Sequence, residues 1–300
     1  MTAAPAGTSL ERRYRRLLLA YPRGYRSDYG DELVGLLLDT AEPGTSLPSQ
    51  KEAAGLIAGG LRARVTYMTE SPPWADGLHL GATVLTVVNL ATLVPYARSL
   101  PLWVALSALA VLAVLRGWVR LALPLVLLTG AKAGALATAT PVLGHTLLPV
   151  FPDSLITGAL YSTGGLYGAV AGHALAVASL SALAVRRRPV RARSWWWLSL
   201  VPAIAVADPT WLGRLEGASP PPVRAAAEII LLGLAIWAGR LSRDPRWALA
   251  SATYLAAVSV SFAENIDNLS RQGVAYWGLL AFLTLAAVAV PYGYRRHALR

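Results

Sequence analysis

The run Arg186-Arg187-Arg188-Pro189-Val190-Arg191-Ala192-Arg193-Ser194-Trp195-Trp196-Trp197 decides how the rest of the chain is read. Five arginines occupy eight positions, three tryptophans follow after one serine, and long apolar runs lie on both sides. Arginine is costly inside a bilayer, and tryptophan favours the headgroup boundary. The stretch therefore reads as a cytoplasmic loop that exits through a tryptophan belt. That assignment sets the direction of every other apolar segment.

The composition agrees with a membrane protein. Of the 300 residues, 55% are hydrophobic and only 14% charged, where a soluble chain carries roughly 25%. The formal net charge is +11. In a soluble chain such an excess would point to nucleic acid. Here most arginines flank apolar segments, so orientation against the bilayer accounts for them and no direct nucleic-acid binding is expected. The chain has no cysteine, which removes disulfides, thiolate metal sites and cysteine nucleophiles. No cleavable signal peptide is expected, because the first apolar run, Leu17 to Ala20, is short and surrounded by arginine.

Residues 1–73 read as a small cytoplasmic helical domain of about three helices. In the first helix, about Ser9 to Ala20, Tyr14, Leu17, Leu18 and Tyr21 make one apolar face, and Arg12, Arg13, Arg15 and Arg16 fill much of the rest. Pro22 ends it. A second helix, about Tyr25 to Ala41, has Tyr25, Tyr29, Leu33, Leu36 and Leu37 as its apolar line, and carries Asp28, Asp31, Glu32 and Asp39. The basic first helix and the acidic second helix can pair as a hairpin. Ser49 with Glu52 reads as a capping box, opening a third helix with Ala53, Leu56, Ile57, Leu61, Val65 and Met68 inward. Ser71-Pro72-Pro73-Trp74 is the boundary.

Residues 74–300 read as a polytopic α-helical membrane bundle, which makes the whole chain all-α. Polar punctuation cuts it into eight apolar segments, near 77–97, 102–115, 121–140, 155–185, 195–207, 223–240, 247–262 and 275–294. A full span takes about 20 residues, so the second, fifth and seventh are short as drawn. The fourth is long, with Gly164, Gly165, Gly168 and Gly172 as its weak points and two Gly-x-x-x-Gly spacings that favour close packing. With 186–193 placed inside and the segments alternating, Arg116, Arg120, Arg240, Arg243, Arg246, Arg295, Arg296 and Arg300 also fall inside. Only Arg98, Arg214, Arg224 and Arg271 fall outside. That sorting supports eight spans with both termini cytoplasmic. Dropping the fifth segment would put Arg240 to Arg246 outside, against the rule.

Ionisable and amide side chains at membrane depth are the candidate intramembrane polar site: Lys132, Glu228, His173 and Asn89. Lys132 and Glu228 can pair if their helices touch, and such a pair can equally be a packing device. His173 and Asn89 are by default interhelical hydrogen-bonding groups. Glu264 and Asp267, with Asn265 and Asn268, form a candidate outer acidic cluster, whose plain alternative is a solvated loop with helix caps. No phosphate-cradling glycine loop and no zinc-binding His-Glu-x-x-His helix is present. The four histidines at 79, 145, 173 and 297 are far apart. No catalytic residue, metal or cofactor is assigned, and no enzymatic activity is expected.

The run Leu10-Glu11-Arg12-Arg13-Tyr14-Arg15-Arg16-Leu17-Leu18, then Tyr21-Pro22-Arg23-Gly24-Tyr25-Arg26 and Tyr29-Gly30-Asp31-Glu32-Leu33, resembles the helical prefix domain that precedes some bacterial permeases. It is similar, too, to the HAAS-type helical domain of membrane proteins associated with PadR-like transcription regulators, and to uncharacterised actinobacterial integral membrane proteins that open this way. The resemblance covers about residues 9–65. It implies a cytoplasmic protein partner, either a PadR-like regulator or a transporter ATPase. The expected function is thus a sensor, regulatory or accessory component of the cell membrane, partnered by lipid and by that protein. The alternative is a small-solute or ion transporter using Lys132 and Glu228.

Overall fold

The computed structural model describes residues 7–42, 45–67, 72–138, 140, 146–149, 166–186, 190–207, 221–268 and 270–298. Among them all regular structure is helical and there is no strand. The chain divides into two compact units, Met1–Glu70 and Ser71–Arg300.

The first unit holds α1 (Gly7–Leu17), continued by a 3-10 turn over Leu18–Ala20, then α2 (Arg23–Asp39) and α3 (Gln50–Tyr67). Pro22, which lacks an N–H and has its φ fixed, takes the cap position before α2, where no intrahelical donor is lost. Leu10, Tyr14, Leu18, Tyr21, Val34 and Leu56 form the core. The Ser49 backbone N–H donates to Glu52 at 3.0 Å and the Glu52 N–H to Ser49 Oγ at 3.2 Å, a reciprocal capping box that starts α3. Tyr14 donates its hydroxyl to the same Glu52 at 3.1 Å. Arg64 reaches back from α3 to the carbonyls of Ala20 and Leu19 at 2.5 and 2.7 Å, groups a helix end leaves without partners. The α1–α2 hairpin carries an exposed Arg15–Asp31 pair at 2.8 Å.

The inward faces of α2 and α3 differ from those expected. Tyr29, Leu36, Ile57 and Leu61 are exposed, while Gly30 and Val34 face inward on α2. Tyr21 stacks on Tyr25 with centroids 5.0 Å apart, and Tyr25 meets Tyr29 tilted at 5.2 Å. The tyrosine row leads the apolar stripe of α2 out of the core toward the surface. Met68 lies outside the described residues.

The second unit holds α4 (Pro73–Leu93), α5 (Pro101–Leu115), α6 (Val119–Ala137), α7 (Leu166–Val185), a 3-10 turn over Trp195–Ser199 that leads into α8 (Leu200–Ala207), α9 (Pro222–Ser242), α10 (Arg246–Glu264) and α11 (Arg271–Ala298). Helix α4 is the centre, packing against α5, α7, α8 and α10. Its most apolar window is 78% buried, against 22% for α11 at the periphery. Helix α6 packs on α5 and α7, and α9 on α10 and α11. Leu85, Val114, Val126, Leu180, Val258 and Leu280 bring α4, α5, α6, α7, α10 and α11 into one core. Helix α4 approaches α10 closely. A Cβ at Gly77 would stand 2.9 Å from the Arg246 carbonyl oxygen, and one at Gly81 3.0 Å from Thr253 Cβ. Gly168 and Gly172 are buried in α7; Gly164 and Gly165 lie outside the described residues.

Among the described residues, five helices are long and apolar enough to cross a membrane: Pro73–Tyr96 (α4 and the turn after it), α6, α7, α9 and Arg271–Pro291 within α11. Helix α5 and the stretch Trp195–Ala207 are apolar but shorter. Helix α10 has 19 residues, and Arg246, Ser251, Thr253, Ser259, Ser261 and Glu264 dilute its apolar character. The segment expected at 155–185 is described from Leu166 onward.

One end of this unit gathers helix ends that are far apart in sequence. The Arg193 N–H donates to the Leu115 carbonyl at 2.7 Å. A Cβ at Gly117, which has φ +72, would lie 2.5 Å from the Val190 oxygen. Arg116 lies 5.6 Å over the Trp195 ring and Arg186 4.6 Å over Trp74. Here, then, are the start of α4, the end of α5, the end of α7, the entry to α8 and, through Arg246 beside Gly77, the α9–α10 turn. Successive helices therefore run antiparallel.

Candidate functional site

Among the described residues, two buried polar clusters lie inside the second unit. The first is built on Asp76. Pro72 and Pro73 start α4, and an acidic side chain in the first turn suits the positive end of the helix dipole. Asp76 Oδ1 accepts from Arg193 Nη2 at 2.9 Å, and the same nitrogen donates to the Asp76 carbonyl at 2.9 Å. Asp76 Oδ2 accepts from Arg246 Nη1 at 2.9 Å. Arg246 is 1% exposed. Its Nε donates to Asp244 Oδ2 at 2.8 Å, and its own backbone N–H to Asp244 Oδ1 at 3.0 Å. Two carboxylates thus balance two guanidinium groups.

His79 completes this cluster. Its Nδ1 lies 3.1 Å from Arg193 Nε, which can only donate, so Nδ1 accepts. Nε2 then carries the proton and donates to the Val114 carbonyl at 2.7 Å. The imidazole is neutral in this arrangement and satisfies one of the last carbonyls of α5. Burial pulls the Arg193 guanidinium below the usual arginine range; Asp76 opposes that shift and Arg246 adds to it. Removing charges from water costs several kcal/mol each, so such a cluster holds only because nearly every oxygen and donor is matched.

The second cluster surrounds Glu228 on α9. Arg224, one turn earlier on the same helix, donates its Nε to Glu228 Oε1 at 3.1 Å, and both side chains are buried. Tyr254 on α10 donates to Oε1 at 2.5 Å, and Tyr276 on α11 donates to Oε2. Three helices meet at one carboxylate whose two oxygens are both engaged.

The other residues singled out from the sequence are dispersed. Lys132 is fully buried on α6, whose packing neighbours are α5 and α7. The Glu228 cluster draws instead on α9, α10 and α11. His173 is buried on α7, with Nδ1 2.9 Å from the Ala169 carbonyl. Its Cβ would lie 2.9 Å from a Cβ placed on Gly130 of α6, so glycine there lets the two helices close. Asn89 is buried on α4, and its Nδ2 has no hydrogen-bond partner among the described residues. Glu264 ends α10, and Asp267 is exposed in the 3-10 turn Ile266–Asn268. Asn265 Nδ2 turns back to the Ser261 carbonyl at 2.8 Å, as a capping residue does. Among the described residues no group of three or more His, Asp or Glu could hold a metal ion. His145 lies outside them, as does the side chain of His297.

Asp76, His79, Arg193, Asp244, Arg246, Arg224, Tyr254 and Tyr276 were not singled out as site residues from the sequence. Three signals were available. Asp76 is an acid in the first turn of an otherwise apolar segment, and Asp244 is the one acid among Arg240, Arg243 and Arg246. Arg224 and Glu228, at i and i+4, were a third.

Compared with known protein families, with curated proteins and with solved structures, the chain matches none.

Proposed function

We propose that this chain is a multi-pass membrane protein with eight crossings and a cytoplasmic N-terminal helical domain, and that this domain couples the bundle to an intracellular protein partner. The observation that carries the reading is the position of Asp76. Pro72 and Pro73 open α4, the most buried of the five candidate spans, at the start of the second unit. Three residues later Asp76 is held by Arg193 and Arg246, which belong to two other connections. A displacement of these prolines therefore acts on a junction shared by α4, α5, the entry to α8 and α10. The distribution of arginine supports the orientation. Arg116, Arg120, Arg186, Arg191, Arg193, Arg240, Arg243 and Arg246 flank the end that holds Asp76, and Arg98, Arg224 and Arg271 the other; the richer end belongs in the cytoplasm.

The partner implied by the N-terminal resemblance is a PadR-like regulator or a transporter ATPase. Exposed Tyr29, Leu36, Ile57 and Leu61 supply apolar surface for it. Photo-crosslinkers at Leu36 and Ile57 of the full-length chain, in native membranes, test the reading. A regulator or ATPase encoded beside this chain is the expected adduct. No such adduct, together with no phenotype on deleting residues 7–67, would remove it.

A second reading, a small-solute or ion transporter, is favoured by the full burial of Lys132 within α6. Transport or binding unchanged by Lys132→Ala and by Glu228→Ala would dispose of it.

A further inference from the structure

We infer that the arginines and tryptophans at the Asp76 end of the bundle form a collar that binds the phosphate headgroup of anionic phospholipids. The inference rests on the membrane embedding proposed above and goes beyond it by assigning a ligand class to named residues. Arg116, Arg120 and Arg186 are exposed. None of the three has a carboxylate partner among the described residues. Asp76 and Asp244, the carboxylates of the junction beside them, are already occupied, Asp76 by Arg193 and Arg246 and Asp244 by Arg246. The excess positive charge here is therefore left for an anion from outside the bundle.

The groups are also pre-positioned. Arg116 lies over Trp195 and Arg186 over Trp74. A guanidinium held over an indole face keeps its N–H groups available to phosphate oxygens, which a guanidinium can grip in pairs. Trp195 is held in turn, because Arg193 bonds both Asp76 and the Leu115 carbonyl. Trp118, Trp195 and Trp196 expose 57%, 57% and 77% of their surface at this same end. Indoles so exposed belong at headgroup depth, which sets the arginines level with lipid phosphate. A soluble phosphate offers the arginines the same oxygens but gives these indoles nothing to enter, and this favours the lipid.

The test uses the full-length protein in nanodiscs of phosphatidylcholine alone or mixed with phosphatidylglycerol, with retained lipid counted by native mass spectrometry. The expected result is selective retention of phosphatidylglycerol, weakened roughly fivefold for each of Arg116→Gln, Arg120→Gln and Arg186→Gln. Arg116→Lys keeps most of the retention. Arg98→Gln with Arg271→Gln, at the other end, leaves it unchanged. Thermal unfolding of each variant in phosphatidylcholine shows whether it is folded, and the charge-preserving Arg116→Lys decides the case if a glutamine variant is not. Equal retention of both lipids by the native chain overturns the inference. So does displacement of phosphatidylglycerol by millimolar inorganic phosphate, or loss of retention on substituting Arg98 and Arg271. Failure of the chain to enter nanodiscs at all would count against the membrane reading itself.

Discussion

Arg193 and Asp76 stand 117 positions apart and meet at 2.9 Å. The same nitrogen also bonds the Asp76 carbonyl, so the arginine holds α4 by side chain and backbone together. An arginine in a loop crowded with arginine is thereby turned inward, while Arg191, two residues earlier, stays exposed. Removing the Asp76 charge takes away the carboxylate that holds Arg193 and leaves Arg246 with Asp244 alone. Asp76→Asn should cost roughly 3–5 kcal/mol of stability, the usual penalty for breaking a buried pair. Arg120→Gln, at an exposed position with no ion pair among the described residues, should cost within about 0.5 kcal/mol. Reversible unfolding of both variants in detergent, against the native chain, measures the difference.

The Glu228 cluster makes a second prediction. Tyr254 and Tyr276 donate from different helices to one carboxylate. Tyr276→Phe should cost roughly 1–3 kcal/mol, because a buried acceptor loses its donor. Glu228→Gln should reduce the effect of Tyr276→Phe, since a neutral amide oxygen is a weaker acceptor than a carboxylate. A double-mutant cycle with a coupling near zero would show that the two side chains do not act as a pair.

Glycine positions separate packing from flexibility. Gly77 faces the Arg246 backbone, and an added methyl has no room there. Gly77→Ala should destabilise by roughly 1–3 kcal/mol through overpacking. Gly278 has nothing within 4 Å of an added Cβ. There alanine should be neutral or stabilise by up to about 1 kcal/mol, the gain from helix propensity. Thermal midpoints of the two variants, moving in the same direction by the same amount, would contradict the close contact of α4 with α10.

The capping box gives a pH dependence. The Ser49 backbone N–H, first, and the Ser49 and Tyr14 hydroxyls hold the Glu52 carboxyl below its ordinary value of 4.5, against an opposing desolvation effect. A depressed folded value means the stabilisation is present above the unfolded value and is lost as pH falls through the folded one. Amide exchange at the first turn of α3 in the full-length chain should therefore accelerate below about pH 4.5, beyond its intrinsic pH trend. Glu52→Gln, which keeps an acceptor but cannot titrate, should flatten that response. An unchanged acid response in Glu52→Gln would assign the transition to other carboxyls.

The organisation of the chain was legible in the sequence where the signal is local. Apolar run lengths, Pro22, the Ser49–Glu52 spacing and the arginine clusters each act within a few residues of themselves. They sufficed to read the chain as all-helical, which holds throughout the described residues, and to single out long apolar segments, five of which are described as helices long enough to cross a membrane. The site was less legible because its pairings are distant. Nothing near Arg193 indicates that its partner is Asp76, and Asp76 lay one residue outside the apolar segment as drawn. Glu228 was singled out by its burial in an apolar run, yet its Tyr254 and Tyr276 contacts depend on how α10 and α11 rotate. The inward face of α2 was misplaced for a similar reason: Tyr29 and Leu36 keep a helical spacing, but the stacked tyrosines turn that stripe toward the surface.

The absence of cysteine opens the most direct test of the central claim, that eight antiparallel helices cross the membrane with the arginine-rich end in the cytoplasm. Single cysteines at Ala192, beside Arg193, at Asp267, between α10 and α11, and at Ser27 in α2 can each be probed with a membrane-impermeant maleimide on intact cells and on lysed membranes. The predicted result is labelling of Asp267→Cys in intact cells, and of Ala192→Cys and Ser27→Cys only after lysis. Labelling of Ala192→Cys and Asp267→Cys from the same side would contradict the alternating bundle, and labelling of Ser27→Cys in intact cells would contradict a cytoplasmic N-terminal domain.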